Sequence, residues 1–317
     1  MSTTPVIPAD PRGIERAAEA IGQGRLVGMP TETVYGLAAD ATNAAAVAEL
    51  YAVKGRPAFN PLIAHVASLA MARREGRLDD RATALAETFW PGPLTLVVPA
   101  ADTGQTAELA RAGLATIALR VPAHPAARAL LAACGRPLAA PSANPSGRLS
   151  PTRSGDVAAE MPSGVALILE GGASTAGIES TIVGVTPGEP LRLLRAGAIA
   201  RERIETGFGP LDAPQAEGVS APGQLASHYA PVAELRLNAQ DFADSEAVLG
   251  FGPGAPDGAL NLSSAGDTQE AAANLYQCLR RLDASGAQRI AVMPVPEHGL
   301  GEAINDRLRR AAAPRDG

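Results

Sequence analysis

Lys54 is the only lysine in a chain of 317 residues, and the other 26 residues of the Lys and Arg total are arginines. It begins the segment Lys54-Gly55-Arg56-Pro57, and Asn60 follows shortly after. An ammonium is a compact point charge on a flexible stem, whereas a guanidinium is a rigid planar fork. Two cations and an amide so close together indicate a site for an anion such as the phosphate tail of ATP. The same residues also suit the C-terminal end of a helix, whose dipole favours cations.

A cluster of hydroxyl and carboxylate side chains follows the first predicted strand. Residues 30–37 read PTETVYGL, so Thr31, Glu32 and Thr33 share one loop. Such a loop is suited to orienting a small polar substrate. Because Thr and Glu also cap helix starts, an ordinary structural role remains the alternative.

A second polar loop, PSANPSG at residues 141–147, follows another predicted strand, and Ser150 lies just beyond it. Its hydroxyl, amide and backbone N–H groups are close together, as in the nests that hold phosphate or carboxylate oxygens. An ordinary turn built from Asn and Pro is the alternative.

Further polar side chains lie on predicted strands or at their ends. Ser180 begins a strand, Arg195 ends the next one, and Thr116 and Arg120 share an earlier strand. An arginine in such a position either clamps a carboxylate through two parallel hydrogen bonds or is a solvated surface charge. His65, on another strand, is by itself more typical of a packed histidine than of a catalyst.

Common nucleotide and metal signatures are absent from the sequence. It contains no GxxxxGK[ST], no GxGxxG after a strand and no HExxH, and its four histidines lack the spacing of metal ligands. We therefore predict no metal held by protein ligands, and any ATP site must be built without these fingerprints. Cys134 and Cys278 are far apart, which argues against a disulfide framework or a cysteine-based zinc site.

Composition narrows the classes of protein further. The net charge of −6 argues against a general nucleic-acid coat, which needs a basic face, but is compatible with a local basic pocket. The start of the chain lacks the features of a signal peptide, and no stretch reaches the ~18 apolar residues of a membrane-spanning helix. We therefore expect a cytoplasmic location and no membrane contact.

Strands and helices alternate over the first two thirds of the chain and must position these side chains. Apolar runs predict strands at 25–29, 62–66, 94–98, 116–121, 138–140, 166–169, 181–185 and 191–194. Helical spacing predicts helices at 14–21, 43–53, 79–90 and 126–133. The alternation indicates an α/β domain, and the late strands without long helices between them favour a mixed sheet.

The composition changes after Arg195. Residues 207–231 are rich in Gly, Pro, Ser and Ala, which is typical of a linker. Strands predicted at 232–237, 247–251 and 289–293, with helices at 268–282 and 303–312, then indicate a small second α/β unit.

Together these residues resemble the threonylcarbamoyl-adenylate synthases, which contain a YrdC-like domain. The resemblance rests on five segments in matching order and spacing: PTETVYGLAADA (30–41), KGRPAFNPLIAHV (54–66), ATIALRVPAHP (115–125), APSANPSGRLSPT (140–152) and IESTIVGV (178–185). The KxR…SxN signature of the family is present as Lys54, Arg56, Ser142 and Asn144. The segment SAPGQLASHYAP (220–231) resembles the linker of the longer, two-domain version, and the tail resembles its C-terminal domain more weakly.

The resemblance implies an α/β fold with a YrdC-like twisted mixed sheet, flanking helices and a small C-terminal α/β domain. It implies a catalytic domain at 12–205, a linker or lid over the active site at 206–231 and the C-terminal domain at 232–317. The implied nucleotidyltransferase condenses L-threonine, bicarbonate (or CO2) and ATP to threonylcarbamoyl-AMP and pyrophosphate. Partner transferase proteins would then use the product to form N6-threonylcarbamoyladenosine in tRNA.

Site residues are carried over from the family motif by motif. Those implied to hold L-threonine are Thr33, His65, Arg120, Ala140 and Ser180, with Arg120 on the carboxylate. Those implied to contact ATP are Arg56, Asn60, Thr116, Ser142, Ser150 and Arg195, with His228 and Tyr229 closing over the nucleotide from the linker. The implied catalytic set is Lys54, Arg56, Ser142 and Asn144, with Lys54 and Asn144 supporting the phosphates. One departure is Ala196, where the family often has proline after the arginine.

The implied reaction needs no protein nucleophile, because a carbamate of threonine can itself attack the α-phosphate. Catalysis then consists of holding the reactants in line and stabilising the phosphate charge, with Mg²⁺ carried by the phosphates. Two alternatives remain: an RNA-binding module, and another carbamoyl- or acyl-adenylate enzyme that uses the same cavity. The sequence does not decide whether the chain binds tRNA directly.

Overall fold

The structure is a computed structural model that describes residues 4–161, 163–213 and 228–314. The strands of the first unit are β1 (Val6–Pro8), β2 (Val27–Met29), β3 (Gly36–Asp40), β4 (Ile63–His65), β5 (Leu94–Pro99), β6 (Thr116–Arg120), β7 (Leu138–Ala139), β8 (Leu167–Glu170), β9 (Thr181–Gly184) and β10 (Arg192–Arg195). Its helices are α1 (Pro11–Gly22), α2 (Ala44–Lys54), α3 (Leu69–Glu75), α4 (Asp80–Phe89), α5 (Pro125–Cys134), α6 (Ser154–Glu160) and α7 (Arg201–Phe208). The second unit contains β11 (Glu234–Arg236), β12 (Ala247–Gly250), β13 (Leu260–Asn261), α8 (Thr268–Ala284), β14 (Arg289–Val292) and α9 (Gly301–Ala312).

The first sheet has ten strands in the order β1–β8–β2–β3–β7–β4–β6–β5–β9–β10. Pairs β1–β8, β2–β8, β4–β6 and β5–β9 are parallel, and the other neighbours are antiparallel. The second sheet has the order β11–β14–β12–β13 and is parallel throughout. The predicted α/β class, with a mixed sheet and a smaller second unit, is therefore confirmed.

Side chains alternate between the two faces of the first sheet along its central strands. On one face, Leu96 and Leu119 belong to an apolar cluster that also includes residues of α3 and α4. On the other face, a small cluster forms an apolar floor from Ile63, Val97, Ala118 and Ile182. His65, Arg120 and Ser180 are each two residues from a member of this floor, so they lie on the same face.

Helix α2 brings Lys54 to its last position. Its start is capped by Asn43, whose side-chain oxygen accepts from the N–H groups of Ala45 and Ala46. Gly55 then takes the left-handed conformation, with φ of 59°, and ends the helix. Lys54 thus does occupy a helix C-terminus, as the structural alternative from the sequence requires.

Some elements differ from the predicted ones. The sequence predicts a loop over 30–37, but Gly36 already begins β3, whose five buried residues lack the alternation that identifies a strand. The short helices α3, α6 and α7 are also absent from the sequence prediction. The Leu193 N–H donates to the Asp212 carbonyl at 2.9 Å, so the chain stays attached to the first sheet beyond the expected boundary at residue 205. Residues 214–227, most of the predicted linker, lie outside the described residues.

One apolar cluster joins the two units. It combines buried residues of α8, α9 and the second sheet with Val34, Leu149 and Ile178 of the first unit. Val34 follows Thr33, Leu149 precedes Ser150 and Ile178 precedes Glu179, so each lies next to a polar residue of one of the five motifs. Within the described ranges, no helix is both long and apolar enough to cross a bilayer.

Candidate active site

A pocket lies on the face of the first sheet that carries the apolar floor. The pocket is lined by the loops after β2, α2 and β7 and by residues of strands β3, β4 and β6. The segment before β9, the end of β10 and residues 228–229 complete the lining. The predicted site residues in its lining are Thr33, Arg56, His65, Arg120, Ala140, Ser142, Ser180, Arg195, His228 and Tyr229. Residues from distant parts of the chain therefore meet in one place.

Arg120 is held at one side of the pocket by three acceptors. Its Nη2 donates to Glu32 Oε1 at 2.5 Å and its Nη1 to Thr33 Oγ1 at 2.9 Å. Its Nε donates to the Gly92 carbonyl at 3.3 Å. Burial opposes ionisation of Glu32, but Arg120 outweighs it and lowers the pKa of this carboxyl below its ordinary value. These contacts use three of the five N–H donors of the guanidinium, so it can still present two to a carboxylate.

His65 lies opposite Arg120 in the pairing of β4 with β6. Its Nδ1 is 3.3 Å from the Ile63 carbonyl oxygen. Burial, and next the charge of Arg120, lower the pKa of His65 to about 3. The imidazole is therefore neutral near pH 7 and can act as a hydrogen-bonding group.

Arg56 faces the pocket from the loop after α2. Its Nε donates to the Asn60 carbonyl at 3.2 Å and its Nη2 to the Pro61 carbonyl at 3.0 Å. Burial lowers the pKa of Arg56 to about 10, so the guanidinium stays charged near pH 7. The loop backbone thus fixes a permanent positive charge in the lining.

Lys54 does not itself line the pocket. Its Nζ donates to the Ser142 carbonyl at 2.6 Å and to the Asn144 carbonyl at 2.5 Å. Burial, and next the charge of Arg56, lower the pKa of Lys54 well below its ordinary value. Lys54 therefore ties the 141–147 loop to the end of α2, and Ser142 of that loop reaches the lining.

Ser180 and Arg195 meet where β9 begins and β10 ends. Arg195 Nη2 donates to the Ser180 carbonyl at 2.9 Å and lies 3.1 Å from Ser180 Oγ. Thr95 Oγ1 on β5 is 2.8 Å from the same Ser180 Oγ. Burial lowers the pKa of Arg195. Thr95, which lies outside the five sequence motifs, thus helps to orient Ser180.

Glu179 is a carboxylate in the lining, directly before Ser180. Ser150 Oγ donates to its Oε1 at 2.6 Å. Burial would raise the pKa of Glu179, but the charges of Arg307 and Arg195, together with hydrogen bonds, lower it to about 2. Ser150 therefore reaches the pocket only through Glu179.

His228 and Tyr229 border the pocket with their ring centroids 4.0 Å apart. Both are buried, and burial lowers the pKa of His228 to about 3. His228 Nδ1, the side-chain amide of Asn60 and Asn144 Oδ1 are buried without a hydrogen-bond partner in the described parts of the chain. Because buried polar atoms are normally satisfied, these three residues suit a site that takes a polar ligand.

Five predicted site residues lie outside the lining: Lys54, Asn60, Thr116, Asn144 and Ser150. Asn144 Nδ2 donates to the Pro145 and Arg148 carbonyls at 2.8 and 3.0 Å, which shapes its own loop. Thr116 is at the other end of β6 from Arg120, a separation of about 13 Å at the rise of an extended strand. Lys54, Asn60, Asn144 and Ser150 hydrogen-bond to lining residues or to the loop that carries Ser142, whereas Thr116 makes no such contact in the described residues.

The lining carries three arginines, at positions 56, 120 and 195, against the single carboxylate of Glu179. An anion is therefore attracted to this pocket although the net charge of the chain is −6. In the described part of the chain, no three His, Cys, Asp or Glu side chains are grouped as metal ligands would be. Glu32 belongs to the polar loop predicted from the sequence, and Glu179 lies inside the motif IESTIVGV, whereas none of the five motifs includes Thr95.

Comparison with known proteins supplies independent findings. Residues 19–197 match the profile of the Sua5, YciO and YrdC family, described as "Telomere recombination". Residues 199–313 match the profile described as "Threonylcarbamoyl-AMP synthase, C-terminal domain". A threonylcarbamoyl-AMP synthase of Pyrococcus abyssi is 40% identical over 95% of this chain and 94% of its own length. A threonylcarbamoyl-AMP synthase of Bacillus subtilis is 36% identical over 96% of this chain and 94% of its own.

A solved structure resembles both units of the fold. The crystal structure of Pyrococcus abyssi Sua5 complexed with L-threonine matches with a TM-score of 0.88 and 36% identity. The match covers 97% of this chain and 96% of that chain. The similarity therefore extends over the C-terminal unit as well as over the sheet that carries the pocket.

Proposed function

The chain belongs to the family of threonylcarbamoyl-AMP synthases, and we propose that it condenses L-threonine, bicarbonate or CO2, and ATP to threonylcarbamoyl-AMP and pyrophosphate. This reaction makes it a nucleotidyltransferase. The observation that carries the proposal is the pocket itself, where three buried arginines meet the hydroxyls of Thr33, Ser142 and Ser180.

The chemistry requires positioning more than a protein nucleophile. The threonine amine adds to CO2, which forms the N–C bond of a carbamate and releases a proton. A carbamate oxygen then attacks the α-phosphorus of ATP, and the bond to the β-phosphate oxygen breaks as pyrophosphate leaves. Holding such reactants in line can supply ~7–11 kcal/mol of the barrier.

The threonine half of the pocket is the side held by Arg120. Its guanidinium takes the amino acid carboxylate, since Glu32 and Thr33 already fix its plane. His65 is neutral and next to it, so it can accept or donate a hydrogen bond without adding a second charge. Ala140 and Ser180 complete this half.

The ATP half is the side that contains Arg56, Ser142 and Arg195. The two guanidiniums stabilise charge that develops on the phosphates during transfer. Lys54 and Asn144 act through the loop that presents Ser142. Mg²⁺ accompanies ATP on its phosphates, since the two nearby carboxylates are already paired with arginines.

Water exclusion is the role of His228 and Tyr229, which border the pocket from the end of the predicted linker. A carbamate is short-lived in water, so a cover over the pocket protects it until the adenylate forms. The product then passes to transferase proteins that modify tRNA in the cytoplasm.

The test is the product formed from ATP, L-threonine and ¹³C-bicarbonate, identified by mass spectrometry. We expect an adenylate that carries one labelled carbon, together with pyrophosphate released only when threonine is present. An adenylate with another amino acid in preference to threonine would contradict the substrate. Salt-dependent tRNA binding without any threonine-dependent pyrophosphate would instead favour the RNA-binding alternative.

Arg120→Met tests the threonine half of the pocket. Loss of a bidentate, charge-assisted contact to the carboxylate should raise KM for threonine about 100-fold. Arg128→Met on α5 is the matched control, because Arg128 is exposed. Equal KM values for threonine in the two variants would remove Arg120 from the proposed site.

A further inference from the structure

Glu179 receives hydrogen bonds from both units of the protein at the edge of the pocket. Ser150 Oγ of the first unit is 2.6 Å from Oε1. The Tyr276 hydroxyl on α8 is 3.0 Å from each carboxylate oxygen. Arg307 Nε on α9 donates to Oε2 at 2.7 Å. The C-terminal unit therefore supplies two of the side chains that hold a carboxylate of the pocket lining.

Arg307 also contacts the two neighbours of this carboxylate on the ATP side. Its Nη2 donates at 3.0 Å to the carbonyl of Ala196, the residue directly after Arg195. Its guanidinium carbon lies 5.0 Å from the ring centroid of Tyr229, within the range of a cation–π contact. Only 1% of the Arg307 side chain is exposed. The buried Arg307 thus contacts three parts of the pocket at once: the backbone directly after Arg195, the carboxylate of Glu179 and the ring of Tyr229.

Residue 196, directly after Arg195, is an alanine, whose backbone has more freedom than that of a proline. The hydrogen bond from Arg307 to the Ala196 carbonyl constrains the backbone at this residue, and it comes from the C-terminal unit.

This arrangement is not the sole contact between the two units in the described residues. Other contacts already join them, among them Gln277 Nε2 to Asp156 Oδ2 at 2.7 Å and Arg201 to Glu302 at 2.7 Å. A buried ion pair is also weak evidence for stability, because its desolvation cost offsets most of its Coulomb energy. The placement of Tyr276 and Arg307 against the pocket lining therefore points to the site.

We infer that Tyr276 and Arg307 are positioning residues that set the ATP half of the pocket through Glu179, the Ala196 carbonyl and Tyr229. The inference rests on the proposed function and deepens it. The threonine half is held within the first unit, where Glu32, Thr33 and Gly92 fix Arg120. Loss of either positioning residue should therefore weaken the binding of ATP and leave the binding of threonine almost unaffected.

The experiment measures KM for ATP, KM for threonine and kcat from threonine-dependent pyrophosphate release in the full chain. Tyr276→Phe keeps the ring and removes one donor to a charged acceptor, so KM for ATP should rise about 10-fold. Arg307→Met should raise it further, and Arg307→Lys should recover part of the loss because a lysine can still pair with Glu179. KM for threonine should change less than about 2-fold in all three, a difference that mere loosening of the fold does not produce.

Two control variants separate positioning from docking. Gln277→Ala removes a contact between the units from the helix that carries Tyr276, and its partners Thr152 and Asp156 do not line the pocket. Arg309→Met removes an exposed arginine from the helix that carries Arg307. Both should keep the wild-type KM for ATP. The inference would be overturned if KM for ATP rose as much in Gln277→Ala as in Tyr276→Phe. It would also be overturned if KM for ATP and KM for threonine rose equally in the variants of Tyr276 and Arg307.

Binding of a non-hydrolysable ATP analogue, measured by calorimetry without threonine, separates failure of the inference from failure of the proposed function. If the wild type binds the analogue but forms no threonylcarbamoyl-AMP, the proposed function fails, and the analogue affinities still test positioning. If Arg307→Met does not fold, Tyr276→Phe decides alone. An unchanged analogue affinity in a folded Tyr276→Phe variant would refute the inference.

Discussion

Lys54 has a defined place at the residue scale, since both of its hydrogen bonds go to backbone carbonyls at either side of Ala143. An arginine in the same position would be longer and would present a planar fork, which does not suit two converging carbonyls in a buried space. This geometry gives a physical reason for the single lysine of the chain. Lys54 fixes the loop that presents Ser142 to the half of the pocket where we propose that ATP binds.

Lys54→Met removes the two hydrogen bonds and keeps most of the side-chain volume. The two carbonyls then lose a buried donor, at about 1–3 kcal/mol for each unsatisfied group, and the loop can shift. We expect kcat for threonine-dependent pyrophosphate release to fall about 100-fold, which is the scale of a 1 Å misplacement.

Arg148→Met is the control, because Arg148 is an exposed cation in the same segment of the chain. It should keep the wild-type kcat, and far-ultraviolet circular dichroism should show that both variants are folded. Wild-type turnover in Lys54→Met would contradict the role that we assign to this lysine.

The two histidines of the pocket make stability depend on pH. Burial lowers the pKa of His65 and of His228 from 6.5 to about 3 in the folded protein. The unfolded chain takes up protons below pH 6.5, so stability is complete above that pH and is lost as the pH falls. Between about pH 7.5 and 5.5, each histidine should cost about 1.4 kcal/mol of the free energy of unfolding.

Urea unfolding at these two pH values measures the loss. His65→Asn and His228→Asn should each remove about half of the loss in free energy of unfolding that the two histidines cause. The double variant should remove nearly all of that loss. Equal stability of the wild type at both pH values would mean that the two rings take up protons in the folded state.

Ser180, just before β9, is held against Arg195, the last residue of β10, at the corner where the segments before β9 and after β10 meet. Gly197 lies in this corner, and a Cβ at that position would be 2.4 Å from the Ser180 carbonyl carbon and 2.5 Å from the Glu179 carbonyl oxygen. Both atoms belong to the backbone, so the segments before β9 and after β10 would have to separate. Glycine is therefore required at position 197, because the backbone of Glu179 and Ser180 lies too close to leave room for a Cβ.

Gly197→Ala should lower the free energy of unfolding by about 1–3 kcal/mol, the usual cost of overpacking. It should also raise KM for both substrates, because we propose that Ser180 contacts threonine and Arg195 contacts ATP. Gly207→Ala in α7 is the control: no atom lies within 4 Å of its Cβ position. Replacing a helical glycine should stabilise the protein by about 0.5–1 kcal/mol, and unchanged kinetics in both variants would contradict the prediction.

At the scale of the whole molecule, the C-terminal unit is part of the core that supports the pocket. Val34, Leu149 and Ile178 are buried in the cluster formed mainly by that unit. Each is next to a polar residue of the pocket or its support, so removing the unit exposes apolar surface and loosens the site at three points. The units are therefore not independent modules.

A chain that ends after residue 213 tests this interdependence. It keeps the pairing of Asp212 with β10 but loses the donors to Glu179 from α8 and α9. We expect a folded domain with a lower midpoint of thermal unfolding and pyrophosphate release reduced at least about 100-fold, since the pocket loses its cover and its support.

A second truncation, after residue 205, is the matched control for the boundary. It also removes the end of α7 and the segment that pairs with β10, so it should unfold at a lower temperature than the chain that ends after residue 213. Full activity in either truncated chain would show that the C-terminal unit does not support the site.

The sequence by itself determined the family, most of the residues that line the pocket and much of the local structure. The five motifs contain most of the residues of the pocket lining, and the periodicity of apolar residues located most helices and strands, because both signals are local in the chain. The fully buried β3 escaped this prediction, since a strand covered on both faces has no alternation.

Only the tertiary structure decided which of these residues meet and through which partners. It separated Arg56, in the lining, from Lys54, which acts through a loop. It also brought Tyr276 and Arg307 to Glu179 across 97 and 128 residues of chain. Such contacts depend on strand order and on the packing of two units, and no local pattern of residues encodes an encounter between segments so far apart.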